Sequence, residues 1–233
     1  MTTTPEYAPP PPPAMLFDLD GTLIDSVYQH VIAWRNALAR VGIDLSVWRI
    51  HRRIGMSGGL FVTALQREMG IRLSPEEIAE LQDLHATEYI KQADSVRPLP
   101  GAVDLLRALT DWQVKWAIAT SGSIRTAGPT LESLGVPDGV PIITRDLVHR
   151  AKPDPDLFLA AAQALGVEPL HAMVVGDSVW DLLAARRAGA LGLGLQSGGY
   201  GREELERAGA YRVYADPADM LSRVDEFGIR PPL

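Results

Sequence analysis

Behind a run of prolines near the start of the chain, an apolar segment ends in two carboxylates: Met15-Leu16-Phe17-Asp18-Leu19-Asp20-Gly21-Thr22. Like charges set together beside apolar residues are costly unless a cation holds them or chemistry requires them. If the apolar run is a β-strand, residues i and i+2 share a face, so Asp18 and Asp20 stand side by side at its C-terminal end. In open α/β sheets that edge is where ligands bind. Two adjacent carboxylates there suit a hard divalent cation such as Mg2+, which takes oxygen ligands. A lone Asp-Gly pair is a common turn, but a turn does not account for the second aspartate.

Three later stretches also place polar groups at the ends of apolar runs. Thr120 closes "WAIAT" and is followed by Ser121 and Gly122, a hydroxyl with backbone N–H donors that suits a phosphate oxygen. A plain strand-to-helix cap would look the same. Lys152 in "AKPDPDLF" offers a positive point charge, although most lysines are simply solvated. Asp177 follows the apolar "AMVVG", and Ser178 and Asp181 have the spacing of a capping box at a helix start.

Strands and helices must bring these stretches together. "AMLFDLD" (14–20), "VKWAIATS" (114–121), "PIIT" (141–144), "AMVVGD" (172–177), "LGLGL" (191–195) and "RVYAD" (212–216) read as strands. Several are apolar nearly throughout, as parallel strands covered on both faces are. Helices are expected between them: 100–111, 154–166 with Asp154 as cap and Pro155 in the first turn, and 178–189 between Ser and Gly. The alternation predicts a doubly wound α/β domain with a parallel sheet. From about 26 to 95 the strand signal vanishes. Val31, Trp34, Leu38 and Val41 share a helical face, and 74–90 opens with Ser74, Pro75 and Glu77 in capping-box order. The expected organisation is a proline-rich tail over 1–13, a core of 14–25 and 96–233, and an all-helical cap of 26–95, with the chain returning to the sheet near 97–101.

Composition excludes several classes of function. The 233 residues carry a formal net charge of -7, which argues against a nucleic-acid-binding surface. There are no cysteines, so thiol catalysis, disulfides and thiolate metal sites are ruled out. No apolar run approaches the length of a membrane span, and no basic stretch followed by an apolar one marks a leader. A cytoplasmic protein, monomeric or homodimeric, is expected.

The four stretches, in this order, resemble the motifs of the haloacid dehalogenase-like hydrolase superfamily, and the helical insertion resembles its phosphatase branch with a cap after the first strand. The likeness runs from Ala14 to about Leu221. It implies that Asp18 is the nucleophile, passing through an aspartyl-phosphate, and that Asp20 is the general acid/base. It implies substrate contacts from Thr120, Ser121 and Gly122, neutralisation by Lys152, and a Thr22 that orients Asp20. Mg2+ would be held by Asp18, Asp177, the main-chain carbonyl of Asp20 and Asp181, the last with a competing role as helix cap. In the cap, "HRRIGMSGG" (51–59) would descend on the site, with Arg52 or Arg53 meeting a second anionic group and Gly55 allowing close approach. A solvated basic helix face would give the same pattern. His30, His85, His149 and His171 show no metal-ligand spacing and read as ordinary residues; Arg125 is not expected to reach phosphate.

The activity implied is Mg2+-dependent hydrolysis of a small phosphorylated metabolite. Asp20 argues against dehalogenation, which needs no proton on its leaving group. Lys91, the only lysine between 22 and 95, sits in ordinary helix surface and does not suggest a Schiff base. A sugar-phosphate mutase of the β-phosphoglucomutase type is the closest rival, but its fourth motif usually reads Glu-Asp-Ser where this chain has Gly176-Asp177-Ser178. Receiver domains place the phosphorylated aspartate after a middle strand, and a silent scaffold would be expected to lack a motif residue.

Overall fold

Alternation along the first strand explains how the sheet is covered. A computed structural model describes residues 12–230; residues 1–11, most of the expected tail, lie outside the described residues. In β1 (Ala14–Phe17), Met15 and Phe17 face one apolar cluster while Ala14 and Leu16 face another, and all four are buried. Burying a side chain the size of Phe or Leu stabilises by about 1.5–3 kcal/mol, so a strand apolar on both faces belongs in the middle of a covered sheet.

After β1 come β2 (Ile24–Asp25), then α1 (Val27–Arg40), α2 (Val47–His51), α3 (Gly58–Met69) and α4 (Pro75–Ile90), then β3 (Arg97–Pro98). The chain continues through α5 (Ala102–Asp111), β4 (Trp116–Ala119), α6 (Ile124–Leu134), β5 (Ile142–Ile143), α7 (Asp156–Leu165), β6 (Ala172–Gly176) and α8 (Val179–Ala188). It ends with β7 (Leu191–Leu195), α9 (Arg202–Ala208), β8 (Ala210–Tyr214) and α10 (Pro217–Leu221). The main sheet has the order β5-β4-β1-β6-β7-β8, and every pairing in it is parallel. Helices cover both faces, as the strand and helix alternation requires. Leu105 and Leu106 of α5 pack with Met15 and Phe17, and Leu157 and Phe158 of α7 with Leu16.

Helices α1 to α4 form their own apolar cluster, which joins Val31, Trp34 and Leu38 to Phe61, Leu65 and Leu81. Val41 does not join it: α1 ends at Arg40, and Val41, beyond the helical turn, is exposed. Ser74 and Glu77 make the expected capping box on α4. The return of the chain differs from expectation. Arg97 and Pro98 do not enter the main sheet but pair antiparallel with Asp25 and Ile24, making a two-stranded joint where the chain leaves and re-enters the core. Two residues per strand carry too short a pattern to read as strand.

Helix α7 starts at Asp156 with Pro155 as its N-cap residue, so Asp154 does not cap it; Asp154 lies 3.7 Å from Arg187 instead. The last strand stops at Tyr214, two residues earlier than expected, because the Asp216 side chain accepts from Asp219 N and starts α10. Among the described residues no helix is long and apolar enough to cross a membrane.

Candidate active site

Strand pairing ends at Phe17, and Asp18 and Asp20 lie just beyond it on a turn. Gly21 makes the turn possible: its φ is +83°, and a Cβ there would meet Asp177 Oδ2 at 2.6 Å. Asp18 N donates to Val175 O at 2.9 Å, holding the first carboxylate against the end of β6. Lys152, fully buried, ion-pairs with Asp18 and lies 2.8 Å from Asp181 Oδ1. Burial pushes the Asp18 carboxyl up, to about 7, with the lysine opposing and Asp181 and Asp20 adding to it. Lys152 is pushed toward its charged form instead. Burial favours its neutral form, but Asp18 and Asp181 outweigh burial and raise it, so it stays charged.

Asp18, Asp177 and Asp181 are buried and each offers an oxygen within 4.8 Å of the others. Asp177 is pushed well above the usual carboxylate range by burial, then by Asp181 and Asp18. Its Oδ1 accepts from Thr22 Oγ1 at 2.9 Å. Asp181 Oδ2 is bound by Ser178, at 2.5 Å from the hydroxyl and 3.1 Å from the backbone N–H, completing the capping box on α8. Asp181 Oδ1 has no hydrogen bond; Lys152 is near it in charge but not in hydrogen-bond geometry. Three crowded buried carboxylates with one orphaned oxygen and a single lysine between two of them lack positive charge. Hard oxygen donors of this kind fit Mg2+. The side chain of Asp20 is not part of this cluster.

Asp20 is held separately. Its Oδ1 accepts from Ser26 Oγ at 2.6 Å and stands 3.1 Å from His30 Nε2. His30 Nδ1 is in turn 3.1 Å from His85 Nε2, and its ring stacks on Tyr89 with centroids 3.9 Å apart. Burial alone pushes Asp20 up; His30, Ser26 and Lys152 outweigh it and leave the carboxyl below its ordinary value. His85 is pushed well down by burial, then by His30 and Arg145, so it is neutral. Two expectations change here. Thr22 serves Asp177 rather than Asp20, because the turn at Gly21 swings its hydroxyl toward the end of β6. His30 and His85 are not ordinary residues, because folding α1 and α4 over the core aims them at Asp20.

A cleft lies between core and cap, lined by Asp18, Asp20 and Thr120 from the core and by His85, Arg53 and Arg145 among others. Thr120 N donates to Ile143 O, and Thr120 Oγ1 accepts from Gly122 N at 2.9 Å, leaving its proton free to donate. Gly122 N is thus engaged within the loop rather than offered to a ligand. Ser121 Oγ donates to Gly55 O at 3.1 Å, tying core to cap. Gly55 has a φ of +94°, and a Cβ there would meet Ser178 Oγ at 2.6 Å, so the cap loop seats on the fourth motif only as glycine. Arg52 does not line the cleft. It pairs with Glu204 at 2.5 Å and lies over the Tyr200 ring. Arg53 lines the cleft, but its guanidinium binds Glu68 and Arg49 O. Arg125 reaches the cap, not the cleft, pairing with Asp83 at 2.5 Å.

The profile of the haloacid dehalogenase-like hydrolase family matches residues 12–189, which hold Asp18, Asp20, Asp177 and Asp181. The chain belongs to this family. A hexitol phosphatase of Escherichia coli K12 is 35% identical over 179 residues, 75% of this chain and 78% of its own. A phosphoglycolate phosphatase of Rhodospirillum rubrum is 30% identical over 219 residues, 90% of this chain and 89% of its own. A hydrolase from Pseudomonas syringae of known crystal structure is 51% identical, with a TM-score of 0.91 over 93% of this chain and 100% of its own. The chain is an enzyme of the haloacid dehalogenase-like family, and these curated relatives are phosphatases.

Within this hydrolase fold, sequence reasoning missed His30, Ser26, His85 and Arg145. Ser26 immediately precedes α1 and His30 lies one turn into it, four residues apart. That spacing places both on one side of a helix start that directly follows the turn carrying Asp18 and Asp20, which is the signal that could have found them. His85 and Arg145 carry no local signal, since they arrive from segments far along the chain.

Proposed function

We propose that this enzyme is a Mg2+-dependent phosphatase of a small phosphorylated metabolite and that it acts through phospho-Asp18. The observation that carries the reading is the division of labour between two neighbouring aspartates. Asp18 is paired to Lys152 and shares the crowded carboxylate cluster, whereas Asp20 is held apart by Ser26 and His30 on the same cleft. Asp18 attacks phosphorus, and the bond to the leaving oxygen breaks as Asp20, ionised at rest and protonated from solvent when the anionic phosphoryl group arrives, gives that oxygen its proton. Asp20, now ionised, takes a proton from water, whose oxygen attacks phosphorus and frees Asp18 and phosphate. Thr120 Oγ1 donates to a phosphoryl oxygen. Lys152 keeps Asp18 from being buried as an uncompensated anion and balances phosphoryl charge. Asp18, Asp177 and Asp181, with the carbonyl of Asp20, would hold Mg2+, which would supply the remaining positive charge.

Asp18→Asn is expected to cut phosphate release by about three orders of magnitude or more while circular dichroism and melting stay near wild type. Full turnover in that variant, or an undiminished rate after EDTA treatment, overturns the mechanism. Phosphate release is measured across a panel of phosphomonoesters that includes hexose 1-phosphates. Isomerised sugar phosphate without free phosphate would replace hydrolysis by mutase chemistry.

A further inference from the structure

Arg145 is the cation of the cleft that the proposed chemistry leaves unused. Lys152 answers Asp18, Arg53 is satisfied by Glu68 and Arg49 O, and Arg52 lies outside. Arg145 follows β5 and lines the cleft. Its backbone N–H donates to Gly122 O at 3.1 Å, so it is fixed to the loop that carries Thr120. Among the described residues its guanidinium donates no hydrogen bond. Its charge partner, Asp146 Oδ1, stands 3.9 Å from Nε, beyond hydrogen-bond reach. The side chain is only one-third exposed.

The cap leaves room for this guanidinium. Gly58, which opens α3 and also lines the cleft, would place a Cβ 3.2 Å from Arg145 Nη1. Among the described residues the only carboxylates lining the cleft are Asp18 and Asp20, both engaged by the proposed phosphoryl chemistry. Gln82 adds a neutral polar group there, and His85, uncharged, adds no competing cation. A rigid fork of donors without an acceptor, half withdrawn from water, is completed by a carboxylate or phosphate far better than by a hydroxyl.

We propose that the substrate is a phosphomonoester on a short carbon skeleton bearing a second anionic group, a carboxylate or a second phosphate, and that Arg145 is the specificity-determining residue that binds it. The proposal rests on the phosphoryl-site reading above. A site built to pair a buried polar group rejects the analogue that lacks its partner.

Non-hydrolysable probes separate the two readings. In the presence of Mg2+, calorimetric affinities are measured for propylphosphonate, 3-phosphonopropionate and 1,3-propylenediphosphonate, which share one skeleton and differ in the far group. In the wild type at least one charged probe is expected to bind about tenfold or more tighter than propylphosphonate, and in Arg145→Gln that ratio falls to about threefold or less. Arg145→Lys should hold an intermediate ratio, and melting curves report that both variants are folded. The charged probe that gains identifies carboxylate or phosphate. Equal binding of all three, or a ratio that survives in Arg145→Gln, overturns the role of Arg145 alone. Binding of none of the three overturns the phosphoryl site as well.

Discussion

At the residue scale, the decisive contrast is between Asp18 and Asp20, two residues apart with opposite environments. Burial raises Asp18 to about 7, and a cation is needed to return it to the ionised form that the proposed mechanism requires. Asp20 is kept below its ordinary value although it too is buried, because His30 and Ser26 bond its ionised form. Removing His30 leaves burial unopposed by its strongest partner. In His30→Ala the Asp20 carboxyl should therefore titrate higher than in the wild type, with Ser26 and Lys152 still opposing burial, read by carbon NMR of labelled aspartate. The turnover number should fall about 10- to 100-fold, since a positioned acid/base is worth about 10²–10⁴-fold. An unmoved Asp20 titration would show that His30 only fills space. In the sequence only the four-residue spacing of Ser26 and His30 hinted at this, because Asp20 lies on the preceding turn and not along the helix face.

At the element scale, glycines and one capping box set how closely α8 and the cap loop approach the turn after β1. A Cβ on Gly176 would stand 2.2 Å from Asp181 Cβ, so β6 and α8 meet only where a side chain is missing. Gly198 is as tight against Asp177, at 1.7 Å from Oδ2. Gly176→Ala should destabilise by about 1–3 kcal/mol through overpacking. That corresponds to a Tm lower by about 2–4 °C per kcal/mol in a chain of this size. Activity measured at a temperature where the variant is folded should also fall, because Asp181 must move. The Ser178 and Asp181 box was legible as spacing, and so were the ends of α8; what the box does for Asp181 was not. Ser178 holds Oδ2 and thereby aims Oδ1 at the cluster with Asp18 and Asp177, so cap and ligand roles sit on different oxygens of one side chain.

At the scale of the whole molecule, the cap is seated on the core by contacts that must break if it opens. Arg125 binds Asp83 and Thr87 of α4. Arg52 binds Glu204, and His51 lies 2.8 Å from Gly198 O. Exposed pairs of this kind contribute about 0.2–1 kcal/mol. A double-mutant cycle of Arg125→Ala and Asp83→Ala should give a coupling of that size in unfolding free energy, falling toward zero at about 0.5 M salt. A coupling indifferent to salt would mean the pair is not an ionic clasp. The division between sequence and structure follows from the range of the forces involved. Strand periods, helix caps and the Asp-x-Asp turn depend on neighbours a few residues away, so the sequence by itself determined the parallel α/β core and the helical insertion, and the motif resemblance pointed to Asp18, Asp20, Lys152 and Asp177 as candidates. Which side chain holds Asp20, that Thr22 serves Asp177, that Arg52 faces away from the cleft while Arg145 lines it: these depend on how α1, α4 and the turn after β5 meet across the cleft. Such contacts join residues tens to more than a hundred positions apart, where no local period carries information, and only the tertiary packing decided them.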